Sequence, residues 1–286
     1  MANIAQFHVD MDRCIGCGRC IKVCPGGILI LNEEKKCRMK EIRQFGWNGC
    51  WKCQHCLSVC PAGAIQIFGK HPEDSLAPVP AEKSAAVLDA LIVNRHSCRR
   101  FLQKDVDPEQ IGEMIRLLAN APNGGNKQQV EFTVIDEREQ MDVFRNLAYR
   151  EMEAQAAAGN YPTGFDRDSY EDMKKWEAAV RPEMLFCGSP YLLIPHAPLG
   201  HGEPVEDVMT AAAYFELLCA SRGLGAVMMT FPKNVLANMP EVFRMLQIPD
   251  DHYIGVMIGF GYPEIRYARG TQREVEDSRI HRIRFD

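Results

Sequence analysis

The chain has 286 residues, 46% of them hydrophobic and 25% charged, the mix of a folded globular protein, which excludes disorder over most of the length. A formal net charge of -5 gives no overall basic field, so no nucleic-acid partner is expected. No apolar run approaches the about 18 residues of a membrane span, and the opening MANIAQFHVDMDRC lacks the basic and apolar regions of an export signal; no membrane association and a cytoplasmic location are expected.

Twelve cysteines are unusual for such a chain. Cys14, Cys17, Cys20 and Cys24 form one group, and Cys50, Cys53, Cys56 and Cys60 a second. Segments 14–29 and 50–65 align without gaps at an offset of 36, with seven identities in sixteen, so a pseudo-twofold module is expected. Each group reads as a tight ligand loop entering a short helix, turned by Pro25 or Pro61. Cys-x2-Cys-x2-Cys-x3-Cys-Pro is the bacterial ferredoxin spacing for cubane iron–sulfur clusters. Three thiolates on a curling loop reach three corners of one cube, and the fourth points to the neighbouring cube. By that rule Cys14, Cys17, Cys20 and Cys60 hold one [4Fe–4S] cluster, and Cys50, Cys53, Cys56 and Cys24 the other. Zinc ribbons are the rival, but two CxxC pairs explain neither the third cysteine of each group nor the repeated Cys-Pro. Cys37, among Lys35, Lys36 and Arg38, reads as a reactive thiol.

Residues 1–69 are thus expected to form the two-cluster domain. The stretch 70–83, KHPEDSLAPVPAEK, reads as a Pro-rich linker, and 84–286 as one further domain. There, Pro108–Asn120 has helical spacing with Asp107 as N-cap. Val130–Asp136 alternates as a strand. The charged stretch 137–181 predicts two helices joined by a loop or lid. Tyr191–Pro195 and Tyr253–Phe260 read as buried strands, and Asp207–Arg222 as a helix closed by Gly223. The apolar stripe of that helix fits a core or a dimer contact equally well. Without a regular βαβ rhythm, the class is α+β. His196 and His201 sit in what reads as a proline-bounded loop with no carboxylate or cysteine at ligand spacing. Cys98, Cys187 and Cys219 read as small buried hydrophobes.

Arg95-His96-Ser97-Cys98-Arg99-Arg100-Phe101 packs three arginines and a serine into six residues. Read alone, it describes a solvated basic patch as well as an anion pocket. Ala121-Pro122-Asn123-Gly124-Gly125-Asn126-Lys127-Gln128 describes an ordinary loop as well as one that admits a flat ligand. No GxGxxG or Walker loop occurs.

Taken in order, RHSCRRF, APNGGNKQ before a strand, the Ala-rich helix ending SRGLGAVMMTF, and GFGYPEIRYARG resemble the FMN-dependent nitroreductase family from about 88 to 275. With the N-terminal module, the chain resembles the ferredoxin–nitroreductase fusions. The resemblance implies an α+β homodimer with FMN at the subunit interface. It places Arg95, His96, Ser97 and Arg99 on the FMN phosphate and part of the flavin. Asn126, with Gln128 near it, would face the pyrimidine, and Met229 and Thr230 would lie along the isoalloxazine. Arg269 or Arg266 would complete the phosphate site. Asn123 stands where the family usually has serine. No side chain is assigned as a catalytic acid or base, since FMN carries the chemistry.

The function expected is reduction of a small electron-poor acceptor, a nitroaromatic, quinone or activated alkene, with electrons entering through two [4Fe–4S] clusters. The donor expected is a ferredoxin or another low-potential carrier, or NAD(P)H. The rivals are an adapter passing electrons to a partner protein and an NAD(P)H-fed flavin reductase.

Overall fold

The structure, a computed structural model, describes residues 4–181, 183–200 and 202–285. It divides into two compact units. One holds the residues through Val79 together with Pro122–Gln129, and the other holds Pro80–Ala121 and Val130 onward.

The first unit follows the sequence repeat. Its elements are β1 (His8–Val9), α1 (Arg19–Val23), β2 (Leu29–Leu31), β3 (Cys37–Met39), α2 (His55–Ser58) and β4 (Ile65–Gln66). β1 pairs antiparallel with β4, and β2 with β3. Helices α1 and α2 occupy equivalent places in the two copies, each entered through a left-handed residue, Gly18 or Gln54. Two residues earlier, Gly16 and Lys52 are left-handed as well. These reversals curl each loop so that its thiols turn inward. At Gly16 a Cβ would sit 2.3 Å from the Lys35 carbonyl oxygen, so only glycine fits. A small core of Phe7, Ile28, Leu29, Ile65 and Ile67 closes around the cysteines.

The second unit is α+β. It begins with α3 (Ala81–Asn94), whose start falls inside the stretch expected as linker; before it runs a 3-10 turn at Pro72–Asp74. Next is α4 (Pro108–Leu117), where the Asp107 side chain accepts from the Glu109 N–H as its cap. There follow β5 (Glu131–Ile135), α5 (Arg138–Ala157), α6 (Arg167–Val180), β6 (Tyr191–Pro198), α7 (Pro204–Ser221), β7 (Gly225–Met229), α8 (Phe231–Leu236), α9 (Pro240–Arg244), β8 (His252–Ile254) and β9 (Met257–Gly261). The sheet runs β5-β6-β9-β7, with β8 also on β6, and every pairing is antiparallel. The single strand expected over 253–260 is broken between Ile254 and Met257 into β8 and β9.

β6 is buried on both faces, which is why its sequence, YLLIPHAP, reads as a continuous apolar run. Tyr191 and Leu193 pack with Phe215, Cys219, Ala226, Ile258 and Phe260 beside α4 and α7. Leu192 and Ile194 pack on the other face with Met141, Phe144, Met152 and Tyr170 from α5 and α6. The stripe on α7 is therefore core. Gly223, at φ 71°, ends that helix, and the Leu224 N–H reaches back to the Cys219 carbonyl.

The two helices expected over 137–181 are present. A capping box between Asp166 and Ser169 starts α6, and Tyr149 of α5 donates to Glu177 and Glu183. The segment is thus anchored by buried contacts. His196 lies within strand β6 rather than in the expected loop, and His201 lies outside the described residues.

Candidate cofactor sites

In the first unit the eight repeat cysteines gather in two sets. One small cavity is lined by Cys14, Cys17, Cys20 and Cys60, together with Cys37. Another is lined by Cys24, Cys50, Cys53 and Cys56. Each set takes three thiols from one copy of the repeat and the fourth from the other, because the pseudo-twofold pairing lays each Cys-Pro beside the opposite loop. All eight are free thiols. Burial pushes the Cys20 and Cys50 thiols up and that of Cys56 to about 12, so the apolar shell favours the protonated form until a cation is present. Two groups of four soft donors in apolar surroundings fit iron–sulfur clusters. The backbone helps: Lys52 N–H donates to Cys50 Sγ at 3.4 Å and Ala64 N–H to Cys60 Sγ at 3.3 Å. Lys36 Nζ donates to the carbonyls of Met11 and Cys14, pinning the first loop.

Cys37 differs from expectation. It is buried on β3, its Sγ is 3.4 Å from Cys20 Sγ, and burial drives its thiol up, the opposite of activation by the neighbouring lysines. Its role is packing against the first cysteine set. Cys37→Ala is expected to leave iron and sulfide content unchanged, whereas Cys20→Ala should remove about half of each; elemental analysis of anaerobically purified protein checks this.

Asn126 and Gln128 belong to this unit. Asn126 Nδ2 donates to the Trp51 carbonyl at 2.7 Å, beside the ligand loop, and the Gln128 N–H donates to Asn123 Oδ1. Both residues are left-handed, as is Gly125.

In the second unit a cavity of about 1050 Å³ lies among α3, α7, the start of β7 and the stretch after β9. Arg95, His96, Ser97, Arg99 and Arg266 line it. Cys98 N–H donates to the Ala226 carbonyl at 2.8 Å and Ser97 bridges Ala226, so the segment after α3 runs as an added rung along β7. His96 stacks on Tyr267 with centroids 3.8 Å apart, and its Nδ1–H donates to the Asn94 carbonyl at 2.6 Å. Arg95 is held by Glu216 of α7 at 2.6 Å. Four arginines against this one glutamate leave the rim positive, while Val87, Leu91 and Ile265 keep the walls apolar. That donor set fits a flat aromatic group bearing an anion, such as FMN.

Met229, Thr230 and Arg269 are not part of this lining. The Met229 side chain is buried in the core, Thr230 is the exposed N-cap of α8, and Arg269 is exposed beside Gly270, which packs on Val93. Glu216, Tyr267 and the face of α3 escaped the sequence reading. A lone carboxylate in the apolar run YFELLCAS was the one signal available for Glu216. No residue of 137–181 lines the cavity among those described. Cys187 and Cys219 are buried as expected, but Cys98 is half-buried and donates to the Arg100 carbonyl.

Comparison with known proteins adds three findings. The model of the nitroreductase family matches residues 92–262, and that of the 4Fe-4S dicluster domain matches residues 13–64. An iodotyrosine deiodinase of Thermotoga neapolitana is 23% identical over 187 residues, covering 65% of this chain and 93% of that protein. An iodotyrosine dehalogenase 1 homolog of Caenorhabditis elegans is 26% identical over 188 residues; the match takes in 59% of this chain and only about half, 52%, of that relative's length. Among solved structures, a nitroreductase with bound FMN from Desulfitobacterium hafniense superposes with a TM-score of 0.52 at 19% identity, covering 68% of this chain and 96% of the other. No helix among the described residues is long and apolar enough to cross a membrane.

Proposed function

The chain belongs to the nitroreductase family and carries a 4Fe-4S dicluster domain ahead of the family domain; from that premise we propose that it is a cytoplasmic FMN-dependent oxidoreductase that reduces a small electron-poor acceptor with electrons drawn through two [4Fe–4S] clusters. The observation that carries this reading is the sorting of the eight cysteines into two crossed sets of four on the same chain as a basic-rimmed apolar cavity. Clusters supply one-electron transfer, and FMN supplies storage of two electrons and their delivery to an acceptor.

The protein's own part is binding and orientation. Cys14, Cys17, Cys20 and Cys60 hold one cluster, and Cys24, Cys50, Cys53 and Cys56 the other. Arg99 and Arg266 take the FMN phosphate with Ser97, while Glu216 fixes the Arg95 fork in place. The backbone at Met229 and Thr230, Arg269 as a further phosphate residue, and Asn126 with Gln128 at the pyrimidine rest on the resemblance alone. A nitroaromatic, quinone or activated alkene would take its electrons from the flavin, with this chain's residues holding the acceptor against it. The two deiodinase relatives favour a second acceptor class, a halogenated phenol, in the same site.

Turnover tests the reading. With reduced ferredoxin as donor under anaerobic conditions, Cys14→Ala combined with Cys50→Ala is expected to lower the rate about 100-fold or more, since single-electron entry is lost. If NAD(P)H alone drives full turnover in that variant, the clusters are not the entry route. If no small acceptor is reduced by the parent protein, the adapter reading replaces this one.

A further inference from the structure

We propose that Glu131, His196 and His252 form a site for one divalent transition-metal ion of the zinc type, built on the sheet of the second unit and separate from both cofactor sites. The sheet register brings them together. Glu131 on β5 lies directly opposite His196 on β6, and His252 on β8 lies opposite Pro198, two residues along from His196. Even spacing puts all three side chains on one face. One ligand atom from each lies within 4.8 Å of the others.

The network around His196 fixes which nitrogen is free. His196 is 3% exposed. Its Nε2 is 3.1 Å from Thr133 Oγ1, and that hydroxyl donates to the Leu246 carbonyl at 3.4 Å. With its proton committed, Thr133 accepts from His196 Nε2–H. The Nδ1 lone pair of His196 is then turned to His252 Nδ1, 2.7 Å away. A hydroxyl holding the remote nitrogen is the outer-shell support that metal-binding histidines carry. In the metal-free protein His252 donates its Nδ1–H across this gap. When an ion enters, His252 carries its proton on Nε2 instead, and both Nδ1 lone pairs face the metal with no net proton released. Zinc–nitrogen bonds near 2.0–2.1 Å at a tetrahedral angle need the two nitrogens about 3.3 Å apart. The half-exposed His252 must therefore move outward by roughly 0.6 Å.

Two imidazoles and one carboxylate are the donor set of open zinc sites, which keep water in the fourth position. Glu131 is exposed, so the carboxylate side faces solvent. None of the three residues lines the basic-rimmed cavity or either cysteine cavity. A bound ion would tie β5, β6 and β8 together and stabilise the folded state by mass action.

The test uses full-length protein loaded with clusters and flavin and stripped of loose metal, titrated calorimetrically with Zn²⁺. One equivalent per chain is expected, with a melting temperature that rises with Zn²⁺. His252→Ala, on the half-open side, is expected to lower affinity at least about 100-fold and abolish the thermal shift, and Glu131→Gln to lower affinity about tenfold. Circular dichroism matching the parent's confirms that both variants fold. Absence of one-equivalent uptake, or equal uptake by His252→Ala, which would trace the zinc to cysteine thiols, overturns the proposal.

Discussion

Cys14→Ala combined with Cys60→Ala is expected to remove no more iron and sulfide than either change alone, about half of the total, whereas Cys14→Ala combined with Cys24→Ala should empty both sites. Cys60 is far from Cys14 in sequence, yet it lines the same cavity as Cys14, Cys17 and Cys20, while Cys24 lines the one formed by Cys50, Cys53 and Cys56. Ligand sets confined to a single run, Cys14 to Cys24 and Cys50 to Cys60, give the reverse outcome: the first pair of changes would then strike both clusters. Iron and sulfide analysis, with electron paramagnetic resonance of the reduced protein, separates the two patterns. The effect reaches beyond the cofactor. The first unit has a small apolar core wrapped around its cysteines, so filled sites are part of what holds it folded. Emptying both should unfold it, read as lost dichroism and rapid proteolysis before Val79.

Val87→Asp with Ile92→Asp is expected to leave the protein monomeric, where the family resemblance predicts a homodimer of the parent, and to weaken flavin retention by about tenfold or more. Helix α3 has no buried residue, and Val87 and Ile92 are 59% and 53% exposed, with Leu88 and Val93 open beside them. Such a helix gains little from its own chain, and isolated helices of this length are marginal in water. A second copy is the occupant that fits the resemblance to a homodimeric family, and the same helix supplies Ala86, Val87, Ala90 and Leu91 to the cavity wall. Docking a partner there would close the wall and exclude water from the flavin. Because both changes sit on exposed positions, the core is untouched and the fold should persist. Light scattering gives the mass, and the flavin-to-protein ratio after gel filtration gives the retention. A dimer that survives both charges places the interface elsewhere.

What the sequence determined by itself is what short-range chemistry encodes. Thiol spacing and its repetition specified two four-cysteine sites, since ligand reach is a local property of a curling loop. Asp107, Gly223 and the alternation of Phe132 and Val134 marked a helix start, a helix end and a strand, because capping and pleat geometry depend on residues a few positions apart. Tertiary structure alone decided the rest. α3 was hidden behind prolines and presents apolar residues that its own chain leaves uncovered, so no pattern of burial announced it. β7 follows its turn directly in a stretch where no element is expected from the residues alone, and its place is set by pairing with β9. Cys37 has basic neighbours in sequence but a buried thiol in space, and burial among other thiols pushes it up. Asn126 meets Trp51, Arg95 meets Glu216, and His196 meets His252 across separations of 75, 121 and 56 residues. Contacts of that range are fixed by sheet register and helix packing, which depend on the whole folded chain and leave no local signature in the residues that make them.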